Sequence, residues 1–321
     1  MTATRVAVVG AGWWGNEHAR AVTAHPDAEL CAVAGRTAER TGARAAQYGV
    51  PAYTDLARML AEQSPDLVSV CLPNLEHYAP TMQLLEAGVP LLVEKPLVFD
   101  LAEADRLLAE AERTSTFFAI TFNHRYARPV QLALDAVRTG RLGEPVFATW
   151  RFGGEGSSAH HPHANLIETQ CHGFDLLEHL CGPIASLSAH VTGGTHALSL
   201  TFANGAIGSL LGTYDSSYAY RGAHLLEING TKGHLLVEDT VKRFTFQAAG
   251  NETAEVWEPG WFNRRDRDIY RTIDLLLDDV LGALRRGDPP PVPASAGRRA
   301  LQLAWAAVES AVSGRRVEVA L

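Results

Sequence analysis

Cysteine is scarce: four residues in 321, Cys31, Cys71, Cys171 and Cys181, none in a CxxC pair. That excludes a disulfide-stapled scaffold and suits reduced thiols, so a cytoplasmic protein is expected. No apolar run approaches the roughly 18 to 20 residues of a membrane span. The opening "MTATRVAVVGAGWWG" has too short an apolar stretch, and no small-residue cleavage site, for a secretory signal. Positive charge is in deficit, with 28 Lys and Arg against 36 Asp and Glu for a net −8. The basic residues are scattered, so a nucleic-acid footprint is absent and the expected partner is a small molecule. There is no internal repeat, and biased sequence is confined to "GDPPPVPAS". What is present, 46% apolar and 20% charged residues, is the balance of a soluble globular chain with length for two domains.

Residues 5–121 alternate near-continuous apolar runs with helical patterns. "RVAVVG", "ELCAVAG", "DLVSVCL", "PLLVEKP" and "FFAITF" read as parallel strands covered on both faces. Helices are expected over 15–24, 38–48, 54–63, 75–87 and 101–113, with Thr37, Thr54, Asn74 and Asp100 as N-caps. This is the βαβ rhythm of a doubly wound sheet. Beyond 122 come a helix near 125–139, a strand near 145–152, a Gly, Ser and His-rich loop over 153–163 and a further helix. From 186 to 247, runs such as "HALSLTF" and "GHLLVED", parted by "TGG", "ANG" and "GTKG", predict antiparallel sheet. Helices follow at 265–285 and 296–313. The division expected is 1–122 for a dinucleotide-binding domain and 123–321 for a substrate-binding and oligomerisation domain.

Gly10, Gly12 and Gly15 stand in GxGxxG spacing between the first strand and the first helix. The first glycine permits a tight turn, the second lets the backbone approach a pyrophosphate, and the helix N-terminus offers N–H groups to it. Trp13 and Trp14 lie within the same turn. At the end of the second strand, where an NAD site carries an acid for the ribose 2′-hydroxyl, the chain has Gly35 and Arg36. An arginine pairs with a 2′-phosphate that an acid would repel, so NADP is favoured over NAD.

"LLVEKPL" ends a strand with Glu94, Lys95 and Pro96. The carboxyl ends of strands face the ligand crevice in such sheets, which sets Lys95 where a substrate would meet the nicotinamide. The proline ends the ladder and restrains its neighbour to extended geometry. With "GAGWWG", "CLPNLEHY", "VEKPL", "FNHRY", "ETQCHGFD", "EINGTKG" and "AAVESAVSGRRVEV", the chain resembles the glucose–fructose oxidoreductase/inositol dehydrogenase (Gfo/Idh/MocA) family over essentially its whole length.

The resemblance implies a Rossmann domain followed by an α/β domain with a large, mostly antiparallel open sheet used for dimer or tetramer contacts. It also implies NAD(P)-dependent oxidation or reduction of a ring carbon of a sugar, sugar derivative or cyclitol, and a cis peptide before the E-K-P proline. Lys95 matches the lysine that hydrogen-bonds the reacting oxygen, and His172 the general acid/base. Glu168 stands where the family commonly has Asp, and Gln170 where it often has Gly. Pro73, Asn74 and His77 match a P-N-x-x-H segment whose first residues touch the cofactor, and Glu94 a residue against the nicotinamide ribose. Asn123 and Arg125 match a segment bordering cofactor and substrate.

Imidazole titrates near neutrality, which suits His172 to take the hydroxyl proton, while the Lys95 ammonium stabilises the developing alkoxide. Glu168 is read as orienting His172 or binding a second hydroxyl. On one α-helix, Glu168, His172, Asp175 and His179 share a face, whereas Cys171 lies about 100° from His172. A zinc site from Cys171, His172, His179 and Cys181 would need ligands from different sides to converge, so no metal is expected. Asp175 and His179 are read as structural. His161 and His163, in the loop before this helix, are candidate substrate contacts. Trp150 and Arg151 alternate faces, so at most one points to a pocket. Trp261 and Phe262 read as a sugar platform or, equally, as core or interface residues. Two other readings are weighed: a redox-neutral enzyme that oxidises a glycoside transiently and eliminates its aglycone, and a non-catalytic sensor, against which the pairing of Lys95 with His172 argues.

Overall fold

The computed structural model describes residues 3–156, 160–220 and 222–321. The first half runs β1 (Thr4–Val9), α1 (Trp13–Ala24), β2 (Ala28–Ala34), α2 (Ala38–Tyr48), β3 (Ala52–Tyr53), α3 (Leu56–Gln63), β4 (Leu67–Val70), α4 (Tyr78–Glu86), β5 (Leu91–Val93), α5 (Leu101–Arg113) and β6 (Phe118–Ile120). There follow α6 (Arg128–Arg138), β7 (Pro145–Gly153), α7 (Cys171–Cys181), β8 (Ile184–Thr192), β9 (Thr195–Phe202) and β10 (Ile207–Thr213). The last elements are β11 (His224–Gly230), β12 (Gly233–Glu238), β13 (Arg243–Ala248), β14 (Glu255–Trp257), α8 (Arg271–Arg286), α9 (Ala294–Ser313) and β15 (Val317–Glu318). Among the described residues no helix is long and apolar enough to cross a membrane.

Contacts gather the chain into two units, residues 1–122 with 273–298, and 123–272 with 299–321. In the first, six parallel strands run in the order β3-β2-β1-β4-β5-β6, the order of the doubly wound dinucleotide fold. Val6, Ala7, Val8, Leu67, Val68, Leu91 and Leu92 are fully buried, which is why these strands read as unbroken apolar runs. Five strands were expected; the sixth, β3, is two residues at an edge and too short to carry a pattern. The expected N-cap of α3 also moves by one: Asp55, not Thr54, accepts the Arg58 N–H. Asp100 caps α5 as expected. The late segment 273–298 joins this unit through Arg20–Asp274 at 2.8 Å and Arg285–Asp27 at 3.0 Å. The proline run after α8 lies along β6, where the Ile120 N–H donates to the Val292 carbonyl.

The second unit is built on nine strands in the order β14-β13-β12-β11-β7-β10-β9-β8-β15. Among the described residues of this sheet only β7 and β10 pair in parallel; the other pairs are antiparallel. Along β9, His196, Leu198, Leu200 and Phe202 are buried and alternate with more exposed residues, the period of a sheet covered on one face. Helix α6 packs on β12 and β13, and α7 on β7. The helix expected from 265 begins at Arg271, after a short 3₁₀ turn over Arg264–Arg267, because the Asp268 carboxylate takes the Tyr270 N–H.

Candidate active site

The glycine turn is built as its spacing predicts. Gly10 has φ +132°, and a Cβ there would lie 2.2 Å from the Cys71 carbonyl oxygen. A Cβ on Gly15 would lie 1.9 Å from the Gly10 carbonyl, so the third glycine lets α1 press against the turn. Gly12 differs, since its Cβ position has nothing within 4 Å. It opens α1 without a side-chain cap hydrogen bond. A dinucleotide pyrophosphate fits that cradle. Trp13 and Trp14 are 65% and 38% exposed beside it.

Next to the turn, a cleft of about 800 Å³ is lined by Val9, Gly35, Arg36, Asp55, Leu72 and Glu76, among others. Arg36, at the end of β2, pairs with Glu76 at 2.6 Å. Sequence reading singled out Arg36 and passed over Glu76, an acid inside a segment read for its Pro73 and Asn74. Pro73 is exposed and Asn74 begins a single 3₁₀ turn after β4. His77 is buried, with Nδ1 2.8 Å from the Pro96 carbonyl and Nε2 2.9 Å from the Leu72 carbonyl. It thereby ties together the turns that follow β4 and β5.

The E-K-P turn leaves the carboxyl end of β5. The Lys95–Pro96 peptide is cis. Glu94 is buried at 4% exposure, whereas Lys95 is half-buried. Glu94 Oε2 accepts the Lys95 N–H at 3.1 Å, and Oε1 lies 3.0 Å from His18 Nε2. No pattern in the sequence had marked His18, which reaches Glu94 from the inner face of α1.

In the second unit, His172 lies in the first turn of α7, buried, with its ring stacked on His124 at a centroid distance of 3.8 Å and an interplanar angle of 4°. The same short turn, Asn123–Tyr126, sends Arg125 to Asp175 in a two-pronged bond of 2.8 and 2.5 Å, and the Asn123 amide to Thr272 Oγ1 at 2.7 Å. Burial pushes the Asp175 carboxyl up against the opposing pull of the Arg125 guanidinium. Both Asp175 oxygens are thus engaged by Arg125. Burial also holds His179 neutral, lowering its pKa to about 4, and raises the Cys181 thiol to about 12.

One geometric expectation is corrected. Glu168 does not share an α-helical face with His172, because residues Asn165–Thr169 form a π-helical turn and α7 starts only at Cys171. The Gln170 N–H donates to the Asn165 carbonyl at 2.9 Å, and its side chain bonds Asn165 Oδ1, the Phe152 carbonyl and Trp150 Nε1. A buried Gln170 that must meet Trp150 and Phe152 on the sheet and Asn165 within its own turn accompanies this wider turn. Glu168 is paired with His160 at 2.7 Å, a partner that sequence reading left unassigned. Residues 157–159 of the His-rich tract lie outside the described residues. His161 and His163 stand edge-on to Trp305 of α9, and burial lowers the pKa of both. Trp150 is buried and Arg151 is exposed, bonding the Gly222 carbonyl, so the two do alternate. Trp261 and Phe262 are exposed at 77% and 97%, which removes the reading of them as core.

The family described as "Oxidoreductase family, NAD-binding Rossmann fold" (GFO_IDH_MocA) matches residues 4–122, and its companion "Oxidoreductase family, C-terminal alpha/beta domain" matches 134–319. The chain is 25% identical over 337 residues to D-apiose dehydrogenase of Paraburkholderia graminis, covering 98% of this chain and 89% of that one. It is 25% identical over 345 residues to myo-inositol 2-dehydrogenase of Thermotoga maritima, covering 98% of each. Levoglucosan dehydrogenase in complex with NADH and levoglucosan shares the fold, with a TM-score of 0.90 at 18% identity over the whole of both chains.

Proposed function

This chain belongs to the Gfo/Idh/MocA oxidoreductase family, and we propose that it moves a hydride between a nicotinamide dinucleotide and a ring carbon of a sugar, sugar derivative or cyclitol. The observation that carries the reading is that the open glycine cradle and Lys95 share the carboxyl edge of one parallel sheet, after β1 and β5. Named relatives that act on apiose and inositol support a polyhydroxylated substrate.

When bound, the nicotinamide supplies the hydride acceptor or donor. The protein's own part is to hold the substrate oxygen and move its proton. Lys95 donates to that oxygen and stabilises negative charge developing there. His172 takes the hydroxyl proton in oxidation and returns it in reduction. Its ring, stacked on His124 and carried by a helix that Arg125 and Asp175 anchor, loses little freedom when it acts. Glu168, already paired with His160, serves as a substrate-hydroxyl contact, as do His161 and His163, whose rings meet edge-on. Gly10, Gly12, Gly15, Pro73, Asn74 and Glu94 hold the cofactor. NADP is preferred, with Arg36 exchanging Glu76 for the 2′-phosphate.

Exposed Phe147, Ile207 and Leu211 on the uncovered face of β7 and β10 support a homodimer or homotetramer formed through this sheet. Four buried free cysteines support a reducing, cytoplasmic location. The test is incubation with NADP⁺ or NAD⁺ and a panel of hexoses, glycosides and cyclitols, following reduced cofactor and product. Lys95→Ala and His172→Ala should lose turnover, and wild-type rates in either would refute the roles given to them.

A further inference from the structure

Beneath the carboxyl edge of the parallel sheet runs a line of buried polar groups that neither the phosphate turn nor proton transfer explains. Cys71 Sγ lies 3.5 Å from Ser69 Oγ, which lies 2.7 Å from His18 Nδ1. His18 Nε2 lies 3.0 Å from Glu94 Oε1, and Glu94 Oε2 takes the Lys95 N–H. His18 and Glu94 are 2% and 4% exposed, and Ser69 is fully buried. Three elements converge here: α1 brings His18, β4 brings Ser69 with Cys71 just beyond it, and the end of β5 brings Glu94.

A carboxylate withdrawn from water needs a counter-charge. In this turn two cations compete for the role, the His18 imidazolium and the ammonium of the next residue, Lys95. The bonding of Glu94 decides between them, because one oxygen meets the imidazole and the other a main-chain N–H. We propose that His18 is a positioning residue for Lys95: by holding and neutralising Glu94, it keeps that acid from drawing the lysine ammonium away from the substrate oxygen.

The hydrogen bonds form a consistent donor series when His18 carries both protons. Nε2–H donates to Glu94, Nδ1–H to Ser69, and the Ser69 hydroxyl to Cys71. Burial opposes the charge, but Cys71 and Glu94 outweigh it and raise the His18 pKa to about 10. Cys71 and Glu94 are the titratable groups that face His18 from the sheet; on its own helix, Glu17 is turned to Arg20 at 2.9 Å.

The inference rests on the proposed role of Lys95, so its test separates the two. On a substrate found by the panel, kcat and KM would be measured for full-length His18→Phe, Glu94→Gln, the double variant and Lys95→Ala. Nitrogen-15 NMR of labelled histidine would report the charge of His18 at neutral pH, its signal identified by loss in His18→Phe. His18→Phe should lower kcat by about tenfold or more, with cofactor KM changed less than about twofold, whereas the same change in the Glu94→Gln background should cost less than about twofold, the non-additivity expected of coupled groups. His18 should appear as an imidazolium in the wild type and become neutral in Glu94→Gln. Equal losses from His18→Phe in both backgrounds, or a neutral His18 in the wild type, would overturn the proposal. If His18→Phe does not fold, the NMR comparison of wild type with Glu94→Gln decides it alone, His18 then being assigned by its coupling to the rest of α1. Wild-type turnover by Lys95→Ala would sink the lysine reading while leaving the His18–Glu94 charge pair measured.

Discussion

Replacing Arg36 by alanine removes a guanidinium that lines the cleft and pairs with Glu76 at 2.6 Å. Against a 2′-phosphate, charge-assisted hydrogen bonds of this kind are worth about 1.5–3 kcal/mol. Arg36 is 77% exposed, so solvent screening holds the value to the low end, and giving up the Glu76 pair costs at most about 1 kcal/mol. The net is about 0.5–1.5 kcal/mol, or roughly two- to twelvefold in affinity. NAD, with a 2′-hydroxyl, should lose less than about twofold, since no charge of its own meets the arginine.

Quenching of Trp13 and Trp14 fluorescence beside the glycine turn gives a binding assay that needs no substrate. Arg36→Ala should weaken NADP⁺ by about tenfold and NAD⁺ hardly at all, and the wild-type difference should shrink between about 0.05 and about 0.5 M salt. Glu76→Gln should act in the opposite sense, tightening NADP⁺ a few-fold by removing both the competitor for Arg36 and an acid that repels the phosphate. Comparing 2′,5′-ADP with 5′-AMP isolates the same contact without the nicotinamide half. Equal weakening of NAD⁺ and NADP⁺ by Arg36→Ala, or a wild type that prefers NAD⁺, would refute the reasoning.

Asp175→Asn leaves the Arg125 guanidinium, 16% exposed, with a neutral partner, and should cost about 2–4 kcal/mol in urea unfolding; a loss under about 1 kcal/mol would show the pair to be dispensable. Stability should also peak near pH 6.5. His18, raised to about 10, contributes stability that is whole below its unfolded pKa and is lost as pH climbs from 6.5 through 10. His179, His196 and His224, each lowered to about 4 by burial first, contribute stability that is whole above 6.5 and is lost as pH falls toward 4. A thermal-melt series across pH checks both limbs, and His18→Phe should flatten only the alkaline one.

Several features of the candidate site were legible because they are local. Gly10, Gly12 and Gly15 act over six residues at one strand–helix junction, so their spacing alone predicts where a Cβ is barred and where space must stay open. Lys95 and Pro96 are adjacent, and the turn they make follows from the end of one apolar run. The expectation that Glu168 shares an α-helical face with His172 failed for an equally physical reason. Counting in steps of four assumes an α-helix, and the side-chain demands of Gln170 turn that segment into a π turn that no periodicity announces.

By itself, then, the chain's local pattern determined the doubly wound first unit, the antiparallel run of the second, the phosphate turn and the E-K-P turn. Each depends on the alternation of apolar residues or on neighbours a few positions apart. Only the tertiary structure decided which groups share a charge. His18 meets Glu94 across 76 residues, Arg125 meets Asp175 across 50 and Arg36 meets Glu76 across 40. Those pairings follow from the order β3-β2-β1-β4-β5-β6 and from a helix laid over a nine-stranded sheet. A sequence period describes which face of an element is buried; it carries no record of what the neighbouring element sets against that face.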